Sequence, residues 1–278
     1  MKVEEIMTPD VRFAEVPGTR TELLDLMNKH KLDGLPVVKK GTRTVVGMIT
    51  KTDLLKKPDE NQIALLMSRN PVTVTPDMSV ADVVRVLLDH RIRRIPVVDG
   101  DVLVGIVTVA DVVWKAIPKM DLPKTIKPYV VRNVIAVWDG TPLPVAYTIM
   151  DLAKTRVLHV LNDNGELCGI VSEVDIFSHS EIISDNKVSS MQATSEGTGW
   201  SWDTEDILYI TKKELKLPQK PINEIMISNV ITVVEQVTVS ECAAKMKKSD
   251  IDQVPVLNAE GRLSGLIRDQ DLLRVFLE

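Results

Sequence analysis

Cysteine and aromatic side chains are scarce in this 278-residue chain, which holds two Cys, three Phe, three Tyr and four Trp. Cys168 and Cys242 sit in apolar-patterned segments without a nearby His or second Cys. They read as small buried hydrophobes in a reducing cytoplasm rather than as a disulfide or metal site. So few aromatic rings leave no platform for stacking bases. A net charge of −5 likewise argues against a nucleic-acid partner. No apolar run reaches the roughly 18–20 residues needed to span a bilayer. The start, "MKVEEIMTPD", has no apolar core segment, so neither a membrane partner nor a signal peptide is expected.

Catalytic signatures are missing too. There is no G-x-S-x-G, no Walker-type phosphate loop and no G-x-G-x-x-G. His30, His90, His159 and His179 lack metal-ligand spacing. "EGTGWSWD" (196–203) contains glycines but joins no strand to a helix. The expectation is a protein that is not an enzyme and holds no catalytic cofactor and no metal.

What is abundant is Val, Ile and Leu within a 44% hydrophobic, 26% charged composition, which is that of a globular protein with an aliphatic core. These residues fall into a repeat: "LPVVKKGTRTVVGMITKTDLL" (35–55), "IPVVDGDVLVGIVTVADVV" (95–113), "LHVLNDNGELCGIVSEVDIF" (158–177) and "VPVLNAEGRLSGLIRDQDLL" (254–273). Each has an apolar strand, a Gly turn, a second strand containing Gly-h-h, then a polar residue, two spacers and Asp. Upstream lie amphipathic helix patterns, three opening with a capping-box pair: Thr19/Glu22, Ser79/Asp82 and Thr238/Glu241. Before each helix comes a short strand: "VRFAEV", "PVTVTP", "VIAVWDG" and "VITVVEQV".

The fold class is therefore α/β (α+β type), with four strand–helix–strand–strand–helix units packed as two pseudo-twofold pairs. The units are expected at 1–58, 59–118, 125–181 and 218–278, with a linker at 119–124 inside the Pro-rich stretch "IPKMDLPKTIKP" (117–128). An insertion at 182–217 reads as a surface loop with Trp200 and Trp202 docked on the fold, followed by a helix at 211–216.

This pattern resembles the cystathionine-β-synthase (CBS) domain, written four times. "EEIMTPD" (4–10), "ALLMSRN" (64–70) and "NEIMISN" (223–229) match the Met-Thr/Ser opening of that domain, and "KPYVVRN" (127–133) keeps its shape. The resemblance implies two paired modules whose clefts bind AMP, ADP, ATP or S-adenosylmethionine. It implies ribose acceptors at Asp53, Asp111, Asp175 and Asp271, with Thr50, Thr108, Ser172 and Arg268 on the ribose or phosphate side. It further implies an adenine pocket from Leu35, Pro36, Ile95, Pro96, Val254 and Pro255. Arg91, Arg93 and Arg94 are candidate phosphate contacts, since Arg offers bidentate geometry.

A bland reading stands beside this one. Thr-x-x-Asp is also a capping box, and the acid suits the positive end of a helix. The fourth copy tells the two apart: Asp271 persists although Arg268 has replaced the capping hydroxyl. The expected function is a cytoplasmic sensor of an adenosine-containing ligand that signals to a regulated protein in trans, most simply as a homodimer. The alternative is an assembly scaffold with vestigial clefts.

Overall fold

The computed structural model describes residues 1–120, 122–191 and 206–278. They form two compact units, Met1–Arg132 with Val233–Leu257 and Gly265–Glu278, and Asn133–Thr232 with Asn258–Ser264.

In the first unit, the first repeat runs β1 (Ala14–Val16), α1 (Arg20–His30), β2 (Gly34–Lys39), β3 (Val45–Thr50) and α2 (Lys51–Lys56). Helix α1 starts where sequence chemistry demands it: the Glu22 N–H donates to Thr19 Oγ1, and Thr19 N–H donates to Glu22 at 2.8 Å. It stops at Lys31, whose φ of 53° is left-handed. Strand β1 pairs parallel with β2, and β2 antiparallel with β3.

The second repeat follows α3 (Ile63–Leu66) and β4 (Ser68–Arg69) with α4 (Val80–Asp89), β5 (Arg94–Asp99), β6 (Val102–Thr108) and α5 (Val109–Asp111). A π-helical turn, Val112–Ala116, continues α5. The strand expected in "PVTVTP" shrinks to a single bridge, Val74 with Val97. Pro71 and Pro76 flank it and bring no N–H donor to extend a ladder.

The openings of the two repeats are exchanged. Strand β4, although it begins the second repeat, is the fourth strand of the first repeat's sheet. Reciprocally, the chain start docks on the second repeat, where Thr8 N–H donates to the Ile106 carbonyl at 2.9 Å. Each opening methionine lies over the glycine of its neighbour's Gly-h-h segment. A Cβ on Gly105 would stand 2.6 Å from Met7 Sδ, and one on Gly47 would stand 2.6 Å from Met67 Sδ. These glycines are thus demanded by close approach rather than by backbone conformation.

The fourth repeat contributes β12 (Val233–Val234), α8 (Val239–Ser249), β13 (Gln253–Leu257), β14 (Leu263–Arg268) and α9 (Asp269–Leu272). Segment 125–131, following the expected linker, packs on it: Val131 bridges Leu266, and Val130 lies over Gly265. The second and fourth repeats share one core containing Leu87, Val112, Val113, Met246, Leu272 and Leu273. The first repeat keeps a separate core around Leu23, Met27, Leu35 and Ile49.

The second unit contains β7 (Ala136–Trp138), α6 (Leu143–Ala153), β8 (Val157–Leu161), β9 (Leu167–Ser172) and α7 (Glu173–Ser178). Its own core gathers Leu143, Met150, Leu158, Val171 and Ile176, and Met226 lies over Gly169. The expected helix at 211–216 is corrected: β11 (Asp206–Lys216) is a strand, antiparallel to β10 (Glu181–Met191). The run "ILYIT" (207–211) favours a strand, and a ladder from Glu181–Lys216 to Met191–Asp206 overrides the helix preference of "KKELK". Trp200 and Trp202 lie outside the described residues. Among the described residues no helix is long and apolar enough to cross a membrane.

Candidate functional site

Each Thr-x-x-Asp element sits where the second hairpin strand turns into a short helix. Thr50 donates from N–H and Oγ1 to Asp53 Oδ2 at 2.9 and 2.6 Å. Thr108 treats Asp111 Oδ2 alike at 2.9 and 2.7 Å, as Ser172 does Asp175 Oδ2 at 2.8 and 2.6 Å. The returning bonds from the Asp N–H to the hydroxyl complete all three capping boxes. In the fourth copy Arg268 has no acceptor to offer, and only half of the box survives: Arg268 N–H donates to Asp271 Oδ2 at 3.1 Å. Its guanidinium grips the same carboxylate, Nε to Oδ2 at 2.8 Å and Nη2 to Oδ1 at 3.1 Å. That contact raises the guanidinium pKa.

The four carboxylates differ in surroundings. Asp111 and Asp271 are 8% and 2% exposed, whereas Asp53 and Asp175 are half-buried. Asp111 is further held by Lys115, whose Nζ lies 2.7 Å from Oδ1 and also donates to the Ile6 carbonyl at 2.7 Å. Lys57 stands at the same spacing from Asp53, but its Nζ donates to the Leu65 carbonyl at 2.6 Å. Lys115 was not anticipated; a cation four residues after an Asp on a helix was the signal available.

The arginine cluster separates three ways. Arg94 turns to the Gly34 carbonyl at 3.0 Å, and burial lowers its pKa. Arg93 binds Asp269 through Nη1 and Nη2 at 3.2 and 2.6 Å, with Asp252 at 3.6 Å. Asp269 is 1% exposed, and its burial pushes its pKa up against the pull of Arg93. The sequence carries a further signal for this pair. The residue before each strand accepts from the first helical N–H, pairing Asp33 with Lys51, Arg93 with Val109, Arg156 with Glu173 and Asp252 with Asp269. Only the second and fourth copies lack internally opposite charges, and they answer one another.

Arg91, left-handed at φ 53°, lines a cavity of about 310 Å3 together with Arg268, Asp271 and Arg274. Leu87, Leu88, Ile92, Val109 and Leu273 supply its apolar wall. The structure therefore brings together Arg91, Arg268 and Asp271, and not Arg93 or Arg94. Leu35, Ile95 and Val254 lie in the aliphatic cores, and Pro36, Pro96 and Pro255 are buried beside them in their strands. His159, which replaces the corresponding proline of the third copy, is 3% exposed with Nδ1 3.2 Å from the Ile135 carbonyl. Burial lowers its pKa. Among the described residues no cluster of His, Cys, Asp or Glu could hold a metal ion.

Comparison with known proteins agrees with this architecture. An uncharacterized protein of Methanocaldococcus jannaschii (MJ1225) is 26% identical over 282 residues, covering 93% of this chain and 92% of its own. A solved structure of a conserved, uncharacterized Pyrococcus horikoshii protein is 29% identical. It covers 99% of this chain and 100% of its own, at a TM-score of 0.69. The solved structure of MJ1225 shares the fold at a TM-score of 0.67 and 22% identity, covering 99% of this chain and 100% of its own. The CBS domain model matches residues 3–60, 62–116, 126–181 and 222–278. With four matches spread over most of its length, the chain belongs to the CBS-domain family.

Proposed function

We propose that this protein is a non-catalytic sensor that binds an adenosine-containing ligand and relays its presence by rearranging its repeats. The observation that carries the reading is the cavity of about 310 Å3 in which Asp271 meets Arg91, Arg268 and Arg274. Its size falls at the lower end of the range for small-molecule sites. A buried carboxylate can accept from both hydroxyls of a cis-diol, while the flanking guanidinium groups suit phosphate. Such a pairing favours AMP, ADP or ATP; S-adenosylmethionine is the competing ligand. The ligand shifts the repeats only by the difference in its affinity for their two arrangements. The output goes to a regulated protein in trans, with the sensor acting as a cytoplasmic homodimer.

Calorimetric titration of the full chain with AMP, ADP, ATP and S-adenosylmethionine tests the reading. Binding of at least one is expected, weakened about ten-fold or more in the Asp271→Ala variant, as loss of a charged hydrogen-bond acceptor implies. Equal affinity for the 2′-deoxy form would remove the ribose role. A scaffold with vestigial clefts is the second reading, favoured by the capping bonds and by the full occupation of Asp111 through Thr108 and Lys115. Absence of both heat and a thermal shift with all four ligands would favour it over the sensor.

A further inference from the structure

Two of the four carboxylates come with a cation of the chain's own. Lys115 holds Asp111 from one turn further along at 2.7 Å, and Arg268 holds Asp271 from three residues earlier at 2.8 Å. The two cations come from opposite sides of the Asp in sequence and use different chemistry, an ammonium and a guanidinium. In the fourth copy Val275 stands where Lys115 would be, so the guanidinium is a separate solution to the same requirement. The first and third copies have none: among the described residues the hydrogen bonds to the Asp53 and Asp175 side chains fall on Oδ2 alone. Lys57 is committed to the Leu65 carbonyl, and His179 Nδ1 sits 2.9 Å from the backbone oxygen of Asp175.

Burial explains why a counter-ion is present. A carboxylate as enclosed as Asp111 or Asp271 needs a paired charge. A helix-stabilising pair at i,i+4 would account for Lys115 alone, but not for Arg268, which displaces the capping hydroxyl to reach Asp271. A ribose diol arriving at either carboxylate competes with the resident cation for the same oxygens. A ligand without negative charge then leaves that cation unpaired, and a ligand carrying a sulfonium adds repulsion. A ligand with a phosphate within reach gives the released ammonium or guanidinium a new partner.

We infer that Lys115 and Arg268 are specificity-determining residues that make the second and fourth sites select phosphorylated adenosine ligands. Asp53 and Asp175 accept a ribose without regard to charge. The inference rests on the adenosine-binding reading above and assigns it a charge filter at two of four sites.

Calorimetry on the full chain carrying Asp53→Ala and Asp175→Ala reports the second and fourth sites alone. In this background AMP is expected to bind about ten- to a hundred-fold more tightly than adenosine, the worth of one charged hydrogen bond. S-adenosylmethionine is expected to bind more weakly than either. Adding Lys115→Met and Arg268→Met should shrink that preference about ten-fold, with Arg91 and Arg274 accounting for what is left at the fourth site, and strengthen S-adenosylmethionine. Lys115→Arg with Arg268→Lys should restore the preference. A preference undiminished in the Met pair overturns the inference while leaving adenosine binding intact. If the parent chain binds neither AMP nor adenosine, the binding reading itself falls and takes the filter with it. Circular dichroism melting of each variant confirms that a lost preference is not a lost fold.

Discussion

The first and second repeats carry the same Thr-x-x-Asp element, with the same capping bonds to within about 0.3 Å, and yet they meet water differently. Two residues beyond Asp53, Leu55 is 79% exposed; two beyond Asp111, Val113 is fully buried. The other two copies divide in the same way, with Phe177 39% exposed and Leu273 fully buried. What distinguishes the copies is which neighbour their second helix faces. In the second and fourth repeats that helix lies in a common core, where enclosure of the nearby Asp brings in Lys115, Arg268 and the Arg93–Asp269 pair. One local signature thus yields an open carboxylate or an enclosed, self-neutralised one according to tertiary context.

The widest gap between the copies should come from packing. Leu273→Ala is expected to cost about 2–5 kcal/mol, because a fully buried side chain leaves a cavity. Leu55→Ala, at the matching position, should stay within about 0.5 kcal/mol. Urea denaturation of both variants reads this directly, and equal losses would abolish the distinction between the copies.

A smaller effect is expected from Arg93→Ala, about 1–3 kcal/mol, since it strips a buried carboxylate of its partner while Arg93 itself remains 45% exposed to screening solvent. Its sign with pH is definite. Burial already raises the Asp269 pKa in the folded state, and without Arg93 it rises further. A folded-state pKa above the unfolded value means that the native protein binds the proton more tightly. The variant should therefore recover relative to the parent chain as pH falls through that raised value, and lose stability as pH rises through it. A loss independent of pH between about 4 and 7 would assign the effect to packing of the Arg93 stem instead.

The smallest effect belongs to the caps. Thr50→Val should cost about 1 kcal/mol through loss of the capping oxygen. Thr108→Val should cost as much or slightly more, because Asp111 is the more buried partner. Thermal melts of the two variants would sharpen the comparison, and a several-fold larger loss at Thr108 would show that the enclosed carboxylate depends on its hydroxyl as well as on Lys115.

Features governed by a few neighbouring residues were legible in advance. The hairpins, the capping boxes at Thr19, Thr50, Thr108 and Ser172, and the repeat itself follow from spacing. The Arg268–Asp271 contact joins residues three apart in the chain and is local in the same sense. What spacing does not carry is the identity of a distant partner. Lys57 and Lys115 occupy the same place after their Asp and still bind different atoms. Arg91, Arg93 and Arg94 lie within four residues of one another and diverge because the first repeat brings Gly34 to Arg94 and the fourth brings Asp269 to Arg93 and Arg268 to the cavity beside Arg91. The 206–216 strand was hidden for a related reason: its partner, 181–191, belongs to the same insertion and stabilises it through backbone bonds indifferent to the helix-favouring lysines.

The exchanged openings bear on where such a chain can be cut or copied. The boundary of a repeat read along the sequence is not a boundary in space, because residues 62–69 complete the first sheet and residues 2–8 cover the second. A lone first repeat would carry a methionine with no glycine to cover and a glycine without its methionine. The smallest inheritable piece of this architecture is then a pair of repeats, and gene duplication acting on it would have to proceed by twos.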